Sequence, residues 1–174
     1  METIQAIMTR RSIRSYEQRP VERDRIEILL RAAMQAPSGH DRQPWHFVVI
    51  TERALLSAIT EFHPYAKMLR KAPSAILVCG DTGIEESVEY INTDCSAATQ
   101  NLLLAAHAMG IGAVWLGIYP RTERVEGMRG LLGLPSRIVP VALVALGYPE
   151  EQKEATDRYR SERVHANRWK ETDE

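Results

Sequence analysis

Arg10, Arg11 and Arg14 surround Ser12 in the stretch MTRRSIRSY, residues 8–16. Guanidinium groups stay charged at any working pH, and each planar fork can give two parallel hydrogen bonds to a phosphate or carboxylate. Such a group suits a phosphate; it also suits a solvated basic helix end, which the helix dipole favours without any ligand. A second dense stretch, APSGHDRQPWHF, covers residues 36–47. Pro37, Ser38 and Gly39 make a tight turn with accessible amides and a hydroxyl, and Gln43-Pro44-Trp45 returns the chain stiffly to a strand. The loop can hold a flat polar ring, or can simply be a well-made helix-to-strand connection with Trp45 in the core. Gly117, in AVWLGI, sits at a strand exit, where a glycine either lets a ligand approach the backbone or merely ends the strand.

Other chemistries lack their residues. Gly110 and Gly112 begin a GxG, but Trp115 occupies the place of the third fingerprint glycine, and the order is helix-to-strand. CGDTG at 79–83 has no GK[ST] and is no phosphate loop. His40, His46, His63, His107 and His165 show neither HxH nor HExxH spacing, so no metal site is expected. Cys79 and Cys95 form no CxxC and read as buried free thiols. No serine stands in a GxSxG elbow, so nucleophilic catalysis has no support. Phosphate-type residues without a catalytic side-chain signature point to a cofactor that brings its own chemistry.

The elements that must position these residues follow from periodicity. Ile4, Ile7, Met8 and Arg11 predict a helix over 2–11, in which Arg10 and Arg14 would share a face if it persisted and Arg11 would lie about 100° round from Arg10. Ile26, Leu29, Leu30 and Ala33 predict a second helix from about 21 that ends near Ala36, before Pro37. Strands are expected at HFVVI (46–50), AILVC (75–79), AVWLGI (113–118) and VPVALVALG (139–147), and helices over 52–62, 85–109 and 121–134. The half NLLLAAHAMG is apolar nearly all round and belongs in the middle of the molecule. Strands alternating with helices imply an α/β or α+β three-layer domain.

The chain has 174 residues, the size of one domain, with 22 Lys and Arg against 23 Asp and Glu. That balance argues against a nucleic-acid partner. No stretch nears the ~18 apolar residues of a membrane span, and METIQAIMTRRS lacks the order of a signal peptide, so a cytoplasmic protein is expected. Residues 148–174 are mostly charged yet carry Tyr159, Val164 and Trp169, which predicts an arm that docks on the domain or on a partner subunit.

Four stretches in this order, RRSIRSY, APSGHDRQPWHFVVI, QNLLLAAHAMGIGAVWLG and RVHANRW, resemble the FMN-dependent nitroreductase family in its short single-domain form. The resemblance implies a three-layer α+β fold with a central mixed, mostly antiparallel sheet flanked by helices. It further implies an intertwined homodimer with FMN at the subunit interface. By the same resemblance Arg10, Arg11, Ser12 and Arg14 hold the flavin phosphate and ribityl chain, and Pro37, Ser38 and Gly39 cover the ring from the partner. Asp41 stands where family members often have Asn, and a carboxylate only accepts where an amide could donate. Leu116 and Gly117 lie against the redox edge, with the Gly117 N–H near flavin N5. Lys67 matches a lysine beside the pyrimidine, where a cation favours negative charge on the ring. Arg158, with Arg160 as the competing choice, matches a late arginine on the phosphate. The implied activity is ping-pong: NAD(P)H reduces FMN and leaves, and a nitroaromatic, quinone or similar acceptor takes its place. Other flavin reactions on this scaffold, or FMN binding without turnover, are the alternatives.

Overall fold

β2 (Ser74–Asp81) and β4 (Ile138–Gly147) are buried along their whole length, as strands covered on both faces must be. They lie at the centre of a four-stranded sheet of order β1-β2-β4-β3, with β1 (Trp45–Ile50) and β3 (Gly112–Gly117) at the edges. This is seen in a computed structural model, which describes residues 1–169. All three pairings are antiparallel. The parallel element is a bridge, Ser12 to Ala113, where the Ile13 N–H donates to the Ala113 carbonyl at 3.0 Å.

Alternation along the strands splits the core into two layers. Ile76, Val78, Val144 and Leu146 pack under α2 (Arg23–Met34) and α4 (Val88–Ala108). Leu77, Leu143, Ala145 and Val114 pack under α3 (Arg53–Phe62) and α5 (Thr122–Leu132). The result is the expected three-layer α+β arrangement. α4 is the central helix: Cys95, Ala98, Thr99, Leu102 and Ala106 are fully buried. It starts at Val88 and not at 85, because the buried Glu85 carboxylate accepts the Ser87 N–H and the Arg42 guanidinium and so shapes the preceding turn. The Ser87 hydroxyl then caps the helix. Cys79 and Cys95 are buried free thiols, whose pKa burial pushes up to about 12.

Gly112 has a packing reason. A Cβ there would meet the Ile13 side chain at 2.7 Å and the Gly147 carbonyl at 3.2 Å, so the GxG at 110–112 serves the approach of the N-terminal stretch to β3. Among the described residues no helix is long and apolar enough to cross a membrane. The last five positions of the expected arm, 170–174, lie outside the described residues. Within the arm, Tyr159, Val164 and Trp169 are 68, 64 and 78% exposed, so its apolar side chains do not pack on their own domain.

Candidate functional site

α1 (Thr3–Thr9) stops one residue before the arginines: Arg10 is already extended, at φ −57° and ψ 130°. The helix does not persist, so the expected shared helical face of Arg10 and Arg14 gives way to an extended strip annexed by the edge of β3. Arg14 comes to lie beside Leu116 and Gly117, whereas Arg10 and Arg11 both border a separate cavity beside α1. The Arg11 guanidinium is committed to the tail, donating to the carbonyls of Glu154 at 2.9 Å and Thr156 at 3.2 Å, and to that of Arg10 at 2.7 Å. Lys153 donates to the Ser12 carbonyl at 2.8 Å. The Glu151 carboxylate accepts the amides of Arg14 and Ser15, and the first of these holds its pKa below the usual range. Residues 150–156 thus strap the arginine strip in place.

Arg10 and Arg158 share a cavity of about 340 Å³ beside α1. Burial, then the Arg158 charge, then that of Arg11, lower the pKa of Arg10. Among the described residues neither the Arg10 nor the Arg158 guanidinium makes a hydrogen bond or ion pair. The carboxylate lining this cavity, Asp157, accepts the Tyr159 N–H instead. Of the two late arginines, Arg158 reaches this cluster, whereas Arg160 turns onto the Tyr159 carbonyl at 2.9 Å.

A second cavity, about 630 Å³, opens on the exposed edge of β3 and brings together Arg14, Lys67, Leu116 and Gly117. Neither Arg14 nor Lys67 has a side-chain hydrogen bond or ion pair among the described residues. The ladder decides which backbone groups face the cavity. Ile118 donates to Val141, its partner in register, so Gly117, opposite Ala142, is a non-bonded pair whose N–H and C=O point off the edge. The Gly117 carbonyl accepts from His63 Nε2 at 3.1 Å and from Arg124 Nη1 at 2.8 Å. Beyond its chain neighbours, no described residue lies within 4 Å of where a Gly117 Cβ would stand.

His63, Tyr65 and Arg124, which also line this cavity, are missed by motif reasoning. His63 stands in the same HPYAKML stretch as Lys67, a signal that was there to use; Arg124, on an exposed-looking turn of α5, reads as ordinary solvated charge. His63 is buried, and its Nδ1 has no hydrogen-bond partner among the described residues. A carbonyl only accepts, so Nε2 carries the proton. Burial first, and the Arg124 charge second, hold the His63 pKa below its usual 6.5. A histidine kept neutral when folded supports the fold above pH 6.5 and withdraws that support as pH falls from 6.5 through the folded pKa. We expect His63→Gln to flatten the loss of stability below pH 6.5 by at most about 1.4 kcal/mol per pH unit, the slope of one proton. Urea unfolding at a series of pH values checks this, and an unchanged slope would contradict the assignment. His107, also shifted down, contributes a separate share.

The loop after α2 does not line either cavity of the single chain. Its form is set by left-handed residues at His40, Asp41 and Gln43, with φ of 53, 56 and 51°. The Ser38 hydroxyl accepts the Gln43 N–H at 3.0 Å, and the Gly39 N–H donates to the buried Asp94 on α4 at 3.1 Å. Asp41 accepts from Gln43 Nε2 at 2.8 Å, a contact that needs only an acceptor, and Asp tolerates the left-handed conformation well. The loop Pro37–Ser38–Gly39 is therefore stiffly presented, outside the lining of the Gly117 cavity of its own chain.

The sequence model of the nitroreductase family matches residues 7–66 and 61–148. The chain belongs to the nitroreductase family. Among its relatives is a putative NADH dehydrogenase/NAD(P)H nitroreductase of Methanothermobacter thermautotrophicus, 46% identical, with 97% of this chain and 88% of that protein aligned. The crystal structure of a putative NADH dehydrogenase/NAD(P)H nitroreductase from Parabacteroides distasonis is 44% identical and superposes with a TM-score of 0.93 over 96% of this chain and 98% of that one. A putative nitroreductase from Desulfovibrio desulfuricans, solved in complex with FMN, is 31% identical, with a TM-score of 0.84 over 98 and 99% of the two chains.

Proposed function

We propose that this nitroreductase-family chain is an NAD(P)H-dependent flavin oxidoreductase that binds FMN along the open edge of β3 and reduces nitroaromatics, quinones or similar small acceptors. The observation that carries the reading is the placement of cations that make no ion pair among the described residues. Arg10 and Arg158 crowd together at one end of the extended strip, and Arg14 and Lys67 stand at the other. At ~3.3 Å per residue the strip from Arg10 to Arg14 spans roughly 13 Å, room for a phosphate at one end and a flat ring at the other. A repelling arginine pair fits a phosphate dianion, and the outward Gly117 N–H, next to a carbonyl already held by His63 and Arg124, fits a ring that presents a hydrogen-bond acceptor. The residues present therefore fit FMN.

Bound FMN supplies the redox chemistry, accepting a hydride equivalent from NAD(P)H and returning two electrons to an acceptor. The chain's own residues bind and aim. Arg10, Ser12 and Arg158 hold the phosphate; Arg14 and Lys67 hold the pyrimidine side and favour negative charge there. Arg11 acts indirectly, by fixing the tail that straps the strip. His63 and Arg124 clamp the Gly117 carbonyl, which sets the direction of the neighbouring N–H. The cavity beside Gly117 gives donor and acceptor a shared place, so they take turns, the ping-pong order. The acting unit is a homodimer. Exposed Ile4, Ile7 and Met8 on α1, Ile28 and Met34 on α2, and Tyr159 and Trp169 in the arm supply apolar surface for it. In that dimer Pro37, Ser38 and Gly39 cover the ring bound to the other subunit.

The test is anaerobic. The purified yellow protein should bleach in its visible flavin band on adding NADH or NADPH and regain its colour at once with a quinone. A chromophore that neither donor bleaches would leave an FMN-binding protein without turnover and overturn the enzymatic reading.

A further inference from the structure

The cavity beside Gly117 holds more positive charge than the FMN reading uses. Arg14 and Lys67 are assigned to the ring; Arg124, in the first turn of α5, is not. Its Nη1 donates to the Gly117 carbonyl at 2.8 Å, and its guanidinium stands 5.6 Å over the ring of Tyr65. One of the five guanidinium donors is engaged, and no carboxylate lines the cavity or pairs with Arg124 among the described residues. The nearby Glu126 pairs with Arg129 instead. Tyr65 is itself 70% exposed, with the buried His63 set edge-on to it at 6.5 Å and 82°. A partly buried cation with free donors next to an open aromatic face, both beside the backbone group assigned to the redox edge, describes a place for a flat anion.

We propose that Arg124 and Tyr65 form an acceptor subsite selective for aromatic molecules that carry an anionic group, such as nitroaromatic carboxylates. The carboxylate pairs with the free Arg124 donors, the ring lies on Tyr65, and the reducible group points to Gly117. For a nitro group the overall step balances as Ar–NO2 plus NAD(P)H plus one proton giving Ar–NO, water and NAD(P)+. One N–O bond breaks, and the oxygen leaves as water with the hydride's hydrogen and the added proton. This inference rests on the FMN reading but can fail separately from it.

The experiment compares matched probes on the holoenzyme: calorimetric binding of benzoate against benzamide, and the kcat/KM ratio of 4-nitrobenzoate to 4-nitrobenzamide. In the wild type each preference for the anion should be about ten-fold or more, the size of one charge-assisted hydrogen bond. Arg124→Gln should bring both ratios to near one, and Arg124→Lys, which keeps the charge, should restore part of them. A holoenzyme that reduces 4-nitrobenzamide but shows no anion preference contradicts this inference alone. So does an anion preference that survives in Arg124→Gln, or an Arg124→Gln effect confined to FMN affinity. A protein that binds no FMN contradicts the functional reading instead.

Discussion

Arg10→Gln is expected to weaken FMN binding by about 10- to 150-fold, since a hydrogen bond to a charged group contributes about 1.5–3 kcal/mol and each 1.4 kcal/mol is ten-fold. The same substitution should leave the apoprotein as stable as the wild type or slightly more so. The Arg10 guanidinium makes no hydrogen bond or ion pair among the described residues, and its nearest charges, Arg158 and Arg11, repel it. Removing it costs the fold nothing and relieves crowding. Arg158→Gln should behave alike. Arg11→Ala should differ in kind, because its side chain holds the carbonyls of Glu154 and Thr156; its loss frees the tail and raises protease sensitivity near residue 154 before it touches the phosphate. FMN titration by fluorescence quenching, set beside thermal melts of each apoprotein, separates the two behaviours. An Arg10→Gln protein with wild-type FMN affinity would mean that the arginine strip holds something else.

Gly117→Val is the second large effect. Beyond its chain neighbours no described residue stands within 4 Å of a Cβ at Gly117, and valine suits a strand, so the apoprotein should melt within about 0.5 kcal/mol of the wild type. The added branches fill the space over the edge where the ring must lie. FMN should bind less tightly, and the fraction that binds should be reduced by NAD(P)H on the order of 100-fold more slowly, the usual cost of a displacement of about 1 Å at a reacting centre. Gly112→Val, five residues earlier on the same strand, is the control. There a Cβ already meets Ile13 at 2.7 Å, so overpacking of about 1–3 kcal/mol should appear as lost stability. Stopped-flow bleaching and urea unfolding of both variants should thus split along one strand, function at 117 and folding at 112.

The elements were legible because their periods are strong. Apolar residues crowd the middle of β2 (Ala75–Cys79) and most of β4, and the second half of α4 is apolar nearly all round, so existence and type follow from burial on both faces. What periodicity could not carry was competition between neighbours. Ile4, Ile7 and Met8 continue a helical pattern to Arg11, but the open edge of β3 offers the chain a carbonyl at Ala113, and the helix ends at Thr9 to take it. Arg10, Arg14, Lys67, Leu116 and Gly117 could be named from their stretches. Their division between two cavities, the diversion of Arg11 to the tail, and the approach of Arg158 to Arg10 depend on contacts that periodicity does not encode. Arg124 gave no sequence signal, since only the fold brings the first turn of α5 to the exit of β3.

The most direct measurement of the central claim is calorimetric titration of the apoprotein with FMN and, separately, with riboflavin, which differs only by the phosphate. One FMN per chain should bind, and riboflavin should bind at least ten-fold more weakly, because Arg10 and Arg158 then meet a neutral hydroxyl. Equal affinity for the two would contradict the phosphate clamp, and an apoprotein that takes up neither would contradict the assignment of the β3 edge as a flavin site.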